Sequence, residues 1–405
     1  MLSHTTRLGR ALLPALLLAC GGALAAEPLN VLVNPGDVGE QSRASRYRVL
    51  SGAMAEAVRS AKAGEMKPVL SLDATADLAA TRAQLPDVVM APAHVVSSAL
   101  AHGYVPLAGN PEAVQAVLVA LADRRLGDLA AAKGRRLGLP LQDSVVTYLV
   151  RGELNAANSS LKSHFARIAH LRYQDALLVC LQIRECDVVG VERATFDRWK
   201  AAGEPVVALL QSRAAPGIAV AVRATLAASP ALSELQPALL RTLAQPAVVA
   251  SGVDKPVALA RKDFDYVATL GYFTPRALPG ATVVDAAAVA RLLADGGVYV
   301  DVRTQAEFDR AHVKDARLVP YGEKSPKDTD YDAALDSFDL AKLPAARNTP
   351  LVFACNGAEC WKSYKASKAA VKAGYTRVHW FRGGLPEWRA AQQPVVAAAA
   401  AAATK

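Results

Sequence analysis

Cysteine and histidine are scarce in this sequence, and they do not occur at the spacing of a zinc site. The 405 residues include 5 Cys and 7 His, and none of them form the paired clusters that ligate zinc. Cys186 is followed by Asp187, so the attachment motif of a c-type haem is absent as well. The sequence therefore predicts no metal site and no cofactor.

The chain also lacks a long apolar run beyond its first residues, a basic stripe interleaved with aromatic residues, and internal repeats. Without an apolar run of about 20 residues we expect no transmembrane segment. The formal net charge of +9 comes from scattered lysines and arginines, so we expect no nucleic-acid partner. The charge suits anionic ligands or an anionic surface instead.

The N-terminal end, residues 1–25, predicts a secretory signal peptide. Arg7 and Arg10 precede a short apolar run at residues 11–19, and residues 23–25 offer a small-x-small cleavage site. Its removal would take two arginines from the net charge of +9, leaving +7. We therefore expect a soluble periplasmic protein. The alternative is a lipid anchor, since residues 17–20 resemble a lipobox that ends in Cys20.

Export would place the four remaining cysteines in an oxidising compartment, where disulfides persist. Cys180 and Cys186 are separated by a short segment and could form one. The sequence leaves the connectivity of the four open.

Most of the chemical information lies in residues 355–361, which we call the cysteine loop. Residues 350–354 predict a buried strand, and residues 362–372 predict a helix that ends near Gly374. Backbone N–H groups and a helix N-terminus favour a thiolate, which is a nucleophile. The candidate nucleophile is Cys355, and the N–H groups that would surround its sulfur belong to Asn356, Gly357, Ala358, Glu359, Cys360 and Trp361. The alternative is a small buried cysteine that only ends the strand.

Cys360 has two interpretations as well. It could be a resolving thiol that attacks a persulfide on Cys355 or closes a disulfide. We favour a plain packing role at the start of the helix, because inward-pointing amides leave the two Cβ atoms little freedom to meet.

Charged residues around the loop suggest further roles. Glu359 would raise the pKa of the thiol and repel a dianionic donor, and Lys362 and Lys365 would compensate. Upstream, residues 298–303 predict a strand. Thr304 and Glu307 have capping-box spacing, and we expect Arg303 to pair with Glu307.

Taken together, these motifs resemble a rhodanese domain over about residues 282–394. The resemblance rests on residues 301–303, 307–308, 312–313, 355–367 and 383–388, which occur in the family's order. It implies that Cys355 accepts a sulfane sulfur from a donor such as thiosulfate and passes it to a thiol or cyanide. Two glycines that the family usually carries are missing from residues 311–316.

The larger part of the chain, residues 26–275, alternates short strands and helices and resembles the substrate-binding proteins of phosphonate-type ABC importers. The matching segments include residues 86–92, 133–135, 143–150, 187–191 and 216–220. The resemblance implies a two-lobed type II periplasmic-binding-protein fold with a ligand cleft, and a small anion or an oxidised sulfur compound as ligand. Ser144, Thr147 and Tyr148 are candidate cleft contacts, with helix capping by Asp143 or Ser144 as the alternative.

The predicted fold class is therefore α/β: a two-lobed binding-protein-like domain, a linker at residues 276–281, a small parallel-sheet rhodanese domain, and an alanine-rich tail at residues 395–405 that we expect to fray. The predicted function is sulfur transfer through a Cys355 persulfide, with a sulfur donor and a thiol acceptor as partners. One alternative is a periplasmic binding or relay protein whose second domain senses or delivers sulfur without turnover. Another is a dithiol redox protein that uses Cys355 and Cys360.

Overall fold

The structure is a computed structural model that describes residues 27–253 and 255–397. The predicted signal peptide, Cys20 and the alanine run from residue 398 onward lie outside the described residues. Across the described ranges, no helix has both the length and the hydropathy needed to cross a bilayer.

Strands and helices alternate along much of the described chain, as the sequence predicts. The strands are β1 (Leu29–Val33), β2 (Met66–Leu70), β3 (Val88–Ala91), β4 (Tyr104–Gly109), β5 (Ala116–Leu121), β6 (Arg136–Leu139), β7 (Arg167–His170), β8 (Val188–Glu192), β9 (Val206–Gln211), β10 (Ala219–Arg223), β11 (Val257–Ala258), β12 (Thr282–Val283), β13 (Val298–Asp301), β14 (His312–Val313), β15 (Arg317–Leu318), β16 (Leu351–Ala354), β17 (Val378–Phe381) and β18 (Val395–Val396). The helices are α1 (Glu40–Ser60), α2 (Ala74–Arg82), α3 (Ala93–Leu100), α4 (Val145–Ala156), α5 (Leu161–His164), α6 (Asp175–Gln182), α7 (Arg193–Ala201), α8 (Ala224–Ala227), α9 (Leu235–Leu243), α10 (Pro246–Ala250), α11 (Asp265–Ala268), α12 (Ala286–Ala294), α13 (Gln305–Arg310), α14 (Trp361–Lys372) and α15 (Gly384–Ala390).

The N-terminal module, residues 27–275, has two lobes, each built on one mixed sheet. The first sheet has the order β11-β4-β10-β3-β1-β2, and the second has the order β7-β6-β8-β5-β9. Helices α1 and α9 pack on one face of the first sheet. The opposite face continues into a core that reaches the second lobe. Because β3 is apolar and fully buried, it lies at the centre of this arrangement.

The chain crosses between the lobes twice, in segments that pair with each other. Val114 and Ala215 exchange backbone hydrogen bonds of 2.9 and 2.8 Å. The strand that follows each crossing pairs antiparallel in the sheet that it enters. Strand β5 pairs with β8 in the second sheet, and β10 pairs with β3 in the first. The apolar run that follows the first crossing forms strand β5, and most of its side chains are buried in the second lobe.

The C-terminal module, residues 276–397, is built on a five-stranded sheet with the order β12-β17-β16-β13-β15. All of its strand pairs are parallel. Strand β16 is central and completely buried, as its uncharged sequence predicts. The carboxyl end of this strand leads directly into the cysteine loop, and the loop leads into α14.

The predicted tail and the predicted linker both contain residues with defined partners. Val395 and Val396 do not fray: they form β18, which pairs antiparallel with β14 and so closes the C-terminal module. In the expected linker, Leu278 is buried against Trp361, Tyr364 and Trp380. Leu278 is held by this apolar packing, whereas the exposed Val395 and Val396 are held by backbone pairing with β14.

Candidate functional site

The cysteine loop is shaped by two glycines with positive φ. Gly357 has φ 103° and turns the chain so that the Cys360 N–H donates to the Gly357 carbonyl at 3.0 Å. Gly384, with φ 57°, lets the start of α15 approach the loop, and Leu385 N donates to the Cys355 carbonyl at 3.0 Å. A Cβ at residue 384 would lie 2.1 Å from that carbonyl oxygen, so only glycine fits there.

The turn brings the two loop cysteines together in a disulfide. The Cα atoms of Cys355 and Cys360 are 6.1 Å apart, within the range that a disulfide spans. Cys355 is 2% exposed and Cys360 is 7% exposed. The packing role that we favoured for Cys360 is therefore replaced by a covalent one, because the left-handed turn at Gly357 folds the loop back on itself. In this structure Cys355 is therefore a buried disulfide sulfur and not a free thiolate.

A second disulfide joins Cys180 and Cys186, with Cα atoms 5.2 Å apart. It ties the end of α6 to the segment before β8. The possibility noted from the sequence is thus present in the structure.

Asn356 anchors the start of the loop to the helix that follows β13. Its side-chain amide donates to Glu307 Oε1 at 2.6 Å. Glu307 also completes the predicted capping box with Thr304.

The expected Arg303–Glu307 pair is not formed. Arg303 instead pairs with Asp301, at 2.6 Å, and donates to the Ala311 carbonyl at 2.8 Å. This pairing is favoured because the guanidinium and the Asp301 carboxylate meet in bidentate geometry at the buried end of β13.

The N-terminal module covers one side of the cysteine loop. Thr274 donates to the Ala358 carbonyl from its N–H at 2.8 Å and from its hydroxyl at 2.7 Å. The indole N–H of Trp361 donates to the Tyr272 carbonyl at 2.5 Å. The loop is therefore attached to the last residues of the N-terminal module by backbone-directed hydrogen bonds.

Glu359 forms an ion pair across the two modules. Its carboxylate lies 3.3 Å from the guanidinium of Arg82, at the end of α2, and the two side chains are 22% and 9% exposed. The charge that we expected to oppose ionisation of the thiol is thus compensated by an arginine 277 positions away in sequence. Nothing in the local sequence pattern identifies this partner.

The expected compensation by Lys365 is not observed. This side chain is fully buried and donates to Ser325 Oγ at 2.8 Å. It also forms an ion pair with Glu323 at 2.7 Å. Lys365 thus fixes α14 to the segment before β16, because a buried ammonium requires carboxylate and hydroxyl partners.

The second candidate region is the cleft between the lobes of the N-terminal module. A narrow cavity of about 40 Å³ there is lined by Ser144 among other residues, while Thr147 and Tyr148 do not line it. Ser144 caps α4 by accepting from Val146 N. The Thr147 hydroxyl donates to the Leu141 carbonyl at 3.0 Å, and the Tyr148 hydroxyl donates to Asp143 at 3.3 Å. Of the three predicted contacts, only Ser144 reaches the cavity.

Acidic and basic groups share this cavity. Arg43 and Arg172 line it together with Asp37 and Glu192. Desolvation raises the pKa of both carboxyl groups, and both accept hydrogen bonds from the Gln174 amide, at 2.7 and 3.1 Å. The lining therefore offers donors and acceptors to a ligand rather than a uniformly basic surface.

Lys327 of the C-terminal module reaches the edge of the same cavity. Its ammonium lies 2.7 and 2.8 Å from the two carboxylate oxygens of Asp143, a cavity-lining residue that also accepts from Thr75 at 2.9 Å. Burial opposes ionisation of Asp143, but the Lys327 charge, its hydrogen bond and Thr75 bring the pKa down to about 2. Nearby His94 is buried, which lowers its pKa to about 4.

The fold and these two sites define a two-lobed binding-protein domain joined to a small parallel α/β domain with a cysteine loop. Residues 44–254 match the family model of the periplasmic substrate-binding protein of phosphonate ABC transporters. Residues 285–391 match the rhodanese-like domain. The first match spans more than half of the chain, which therefore belongs to the phosphonate-type substrate-binding family and carries a rhodanese-like domain. Both resemblances inferred from the sequence are confirmed.

Individual relatives agree with this division. The chain is 28% identical over 116 residues to Protein HIGH ARSENIC CONTENT 1, mitochondrial, of Arabidopsis thaliana, covering 28% of this chain and 65% of that protein. It is 35% identical over 108 residues to Thiosulfate sulfurtransferase 18 of the same plant, covering 26% of this chain and 76% of the relative. The chain thus spans less than two thirds of the first relative.

Among solved structures, PhnD1 from Prochlorococcus marinus in complex with methylphosphonate superposes with a TM-score of 0.51 at 14% identity. The superposition covers 60% of this chain and 96% of that protein. At this identity the match shows the fold of the N-terminal module and nothing more.

Proposed function

We propose that this protein is an exported sulfurtransferase that carries a sulfane sulfur as a persulfide on Cys355. The observation that carries the proposal is the position of Cys355: it follows the central buried strand of a rhodanese-like domain and opens the loop that leads into α14. Backbone N–H groups at a helix N-terminus favour an anionic sulfur at such a position.

The chemistry proceeds in two transfers once the loop is reduced. The Cys355 thiolate attacks the outer sulfur of thiosulfate, the S–S bond of the donor breaks, and sulfite leaves with the bonding electrons. An acceptor such as cyanide then attacks the terminal sulfur of the persulfide, forms thiocyanate and regenerates the thiolate. In this scheme the N–H groups of residues 356–361 surround the bound sulfur.

The disulfide in the structure is the resting state in this proposal. Two thiols of an external reductant exchange with the Cys355–Cys360 bond, so that the reductant becomes the disulfide and both cysteines become thiols. Sulfur transfer then requires a reduced loop, and Cys360 protects the nucleophile when no reductant is present.

The test is thiosulfate:cyanide transfer by the full-length protein after reduction and removal of the reductant. We expect activity in the reduced protein, none in Cys355→Ala, and retained activity in Cys360→Ser, which keeps the nucleophile but cannot close the disulfide. Intact mass should show one added sulfur atom that disappears with cyanide. Full activity in Cys355→Ala would refute the proposal.

A second candidate function, dithiol–disulfide exchange, is favoured by the disulfide itself. The variant Cys360→Ser separates the two candidates. A dithiol protein loses its activity when either cysteine is replaced, whereas a persulfide carrier stays active as long as Cys355 is present. The matched readouts are thiocyanate formation and reduction of a disulfide-containing protein.

The alternative noted from the sequence is a binding or relay protein in which the cleft carries the function. The family match and the mixed lining of the cleft support a small polar ligand there. The periplasmic binding-protein domain also supports an extracytoplasmic location. Native mass spectrometry of protein isolated from cells, followed by titration with methylphosphonate and thiosulfate, would detect a cleft ligand. Absence of both a ligand and measurable affinity would argue against this alternative.

A further inference from the structure

A second cavity, of about 190 Å³, lies where the two modules meet beside the cysteine loop. We call it the junction pocket. The N-terminal module contributes Arg82, Gln84, Ala101, His102 and Gly103, and the C-terminal module contributes Asn356, Leu385, Pro386 and Arg389. Neither module forms this pocket alone.

The junction pocket is lined by two guanidinium groups, and one of them, on Arg82, is paired with Glu359. Two of its nine lining residues are arginines and none is acidic. Arg82 is 9% exposed, and its buried Nε atom has no hydrogen-bond partner in the described part of the chain. A buried donor without a partner is costly, and an anion in the pocket would satisfy it.

Cys355 does not line the pocket itself, but the residue that follows it and a residue bonded to its carbonyl do. Asn356, the next residue, lines it, and so does Leu385, whose N–H donates to the Cys355 carbonyl at 3.0 Å. On the opposite wall, His102 Nδ1 donates to the Ser98 carbonyl at 2.7 Å, and His102 Nε2 lies 3.4 Å from the Asn356 carbonyl. The pocket is therefore next to the start of the loop.

The cysteine loop cannot supply this charge itself, since residues 355–361 contain no lysine or arginine. The guanidinium of Arg82 comes from the end of α2 and that of Arg389 from α15. Guanidinium groups suit oxyanions because they offer several N–H donors in one plane.

We propose that the junction pocket binds the oxyanion end of the sulfur donor, a small dianion of the thiosulfate class. This inference rests on the proposed sulfurtransferase function and adds a substrate site that both modules build. Glu359 competes for Arg82, so the Arg82–Glu359 pair sets the affinity of the pocket for the donor.

Binding can be measured separately from transfer. In a Cys355→Ser/Cys360→Ser background no persulfide forms, and thiosulfate affinity follows from calorimetry on the full chain. We expect Arg82→Gln and Arg389→Gln each to raise Kd at least tenfold. The control is Arg241→Gln, which alters an exposed arginine on α9 and should leave Kd unchanged.

The Glu359→Gln variant distinguishes binding from a structural role of the ion pair. If Arg82 binds the donor, removal of the competing carboxylate should lower Kd; if the pair only joins the modules, the same change should weaken binding or have no effect. In proteins with both cysteines, Arg389→Gln should raise KM for thiosulfate more than it lowers kcat.

Two failures are distinguishable. A wild-type protein that binds thiosulfate but transfers no sulfur refutes the proposed function. A wild-type protein that transfers sulfur, with Kd and KM unchanged by Arg82→Gln and Arg389→Gln, refutes the junction pocket.

Discussion

Lys327 and Asp143 form a buried ion pair between the two modules, and replacing Lys327 with methionine tests whether their docking stabilises the protein. The two side chains are 11% and 4% exposed, and the ammonium contacts both carboxylate oxygens. Methionine keeps much of the side-chain length and removes the charge. Asp143 is then left buried with only the hydroxyls of Thr75 and Tyr148 as side-chain donors.

The magnitude follows from the burial of the pair. Removing one partner of a buried ion pair costs about 3–5 kcal/mol, because the remaining charge loses its compensation. We expect Lys327→Met to lower the free energy of unfolding by this amount at pH 7. The double variant Lys327→Met/Asp143→Asn should recover about 2–3 kcal/mol of the summed losses.

The pH dependence has a defined sign. Against the effect of burial, the Lys327 ammonium holds the pKa of the folded Asp143 carboxyl at about 2, below its usual 3.8, so the pair contributes stability that is present above pH 4 and is lost as pH falls toward 2. In Lys327→Met, burial is no longer offset, and the carboxyl group takes up a proton at higher pH. The difference in free energy of unfolding between the wild type and Lys327→Met should therefore become smaller as pH falls.

The assay is denaturant unfolding in a Trp199→Phe background. Of the 4 tryptophans in the chain, Trp380 and Trp388 then report on the C-terminal module and Trp361 on its contact with Tyr272 of the N-terminal module, while circular dichroism reports on both modules. A loss below about 1 kcal/mol, with no coupling in the double variant, would refute the buried pair.

Three further predictions concern single features. Burial raises the pKa of Asp77 to about 6 from 3.8, so the wild-type protein loses stability as pH rises from 4 to 6. In urea titrations, Asp77→Asn should be more stable than the wild type above pH 6, by up to about 3 kcal/mol, and equally stable below pH 4. Gly384→Ala, whose Cβ would overlap the Cys355 carbonyl, should cost about 2 kcal/mol or more and reduce thiocyanate formation; a normal Tm would contradict this. Replacing Cys180 and Cys186 with alanine should cost about 2 kcal/mol in thermal unfolding, and a reductant should reproduce that loss in the Cys355→Ser/Cys360→Ser background, where Cys180–Cys186 is the disulfide left to open.

How much of the fold and of the candidate site can be predicted from the sequence depends on how far apart in the sequence the interacting residues lie. Strand β16 and its helix are predictable because apolar runs and helical periodicity are local, and the Thr304–Glu307 capping box is confirmed for the same reason. The partners of Glu359 and Lys365 are not predictable in this way. They lie on other elements, and only the packing of the modules brings them within reach.

The same limit explains the errors around the cysteine loop. The sequence shows that Cys355 and Cys360 are five positions apart, but whether their Cβ atoms meet depends on the left-handed turn at Gly357. Arg303 has Asp301 and Glu307 within similar sequence distance, and the choice depends on which carboxylate shares its buried corner. Which partner a charged side chain takes depends on which groups are buried beside it. A single sequence does not specify the burial of each residue.

Helix α2 makes the two candidate sites parts of one structure. At its N-terminal end, Ala74 and Thr75 line the cleft cavity. At its C-terminal end, Arg82 holds Glu359 of the cysteine loop and lines the junction pocket. Helix α2 has 9 residues and is about 14 Å long at 1.5 Å per residue, so a shift of the whole helix at the cleft would also move the arginine that contacts the loop. Helix α2 therefore contributes residues to both candidate sites, and the junction pocket is not formed by either module alone.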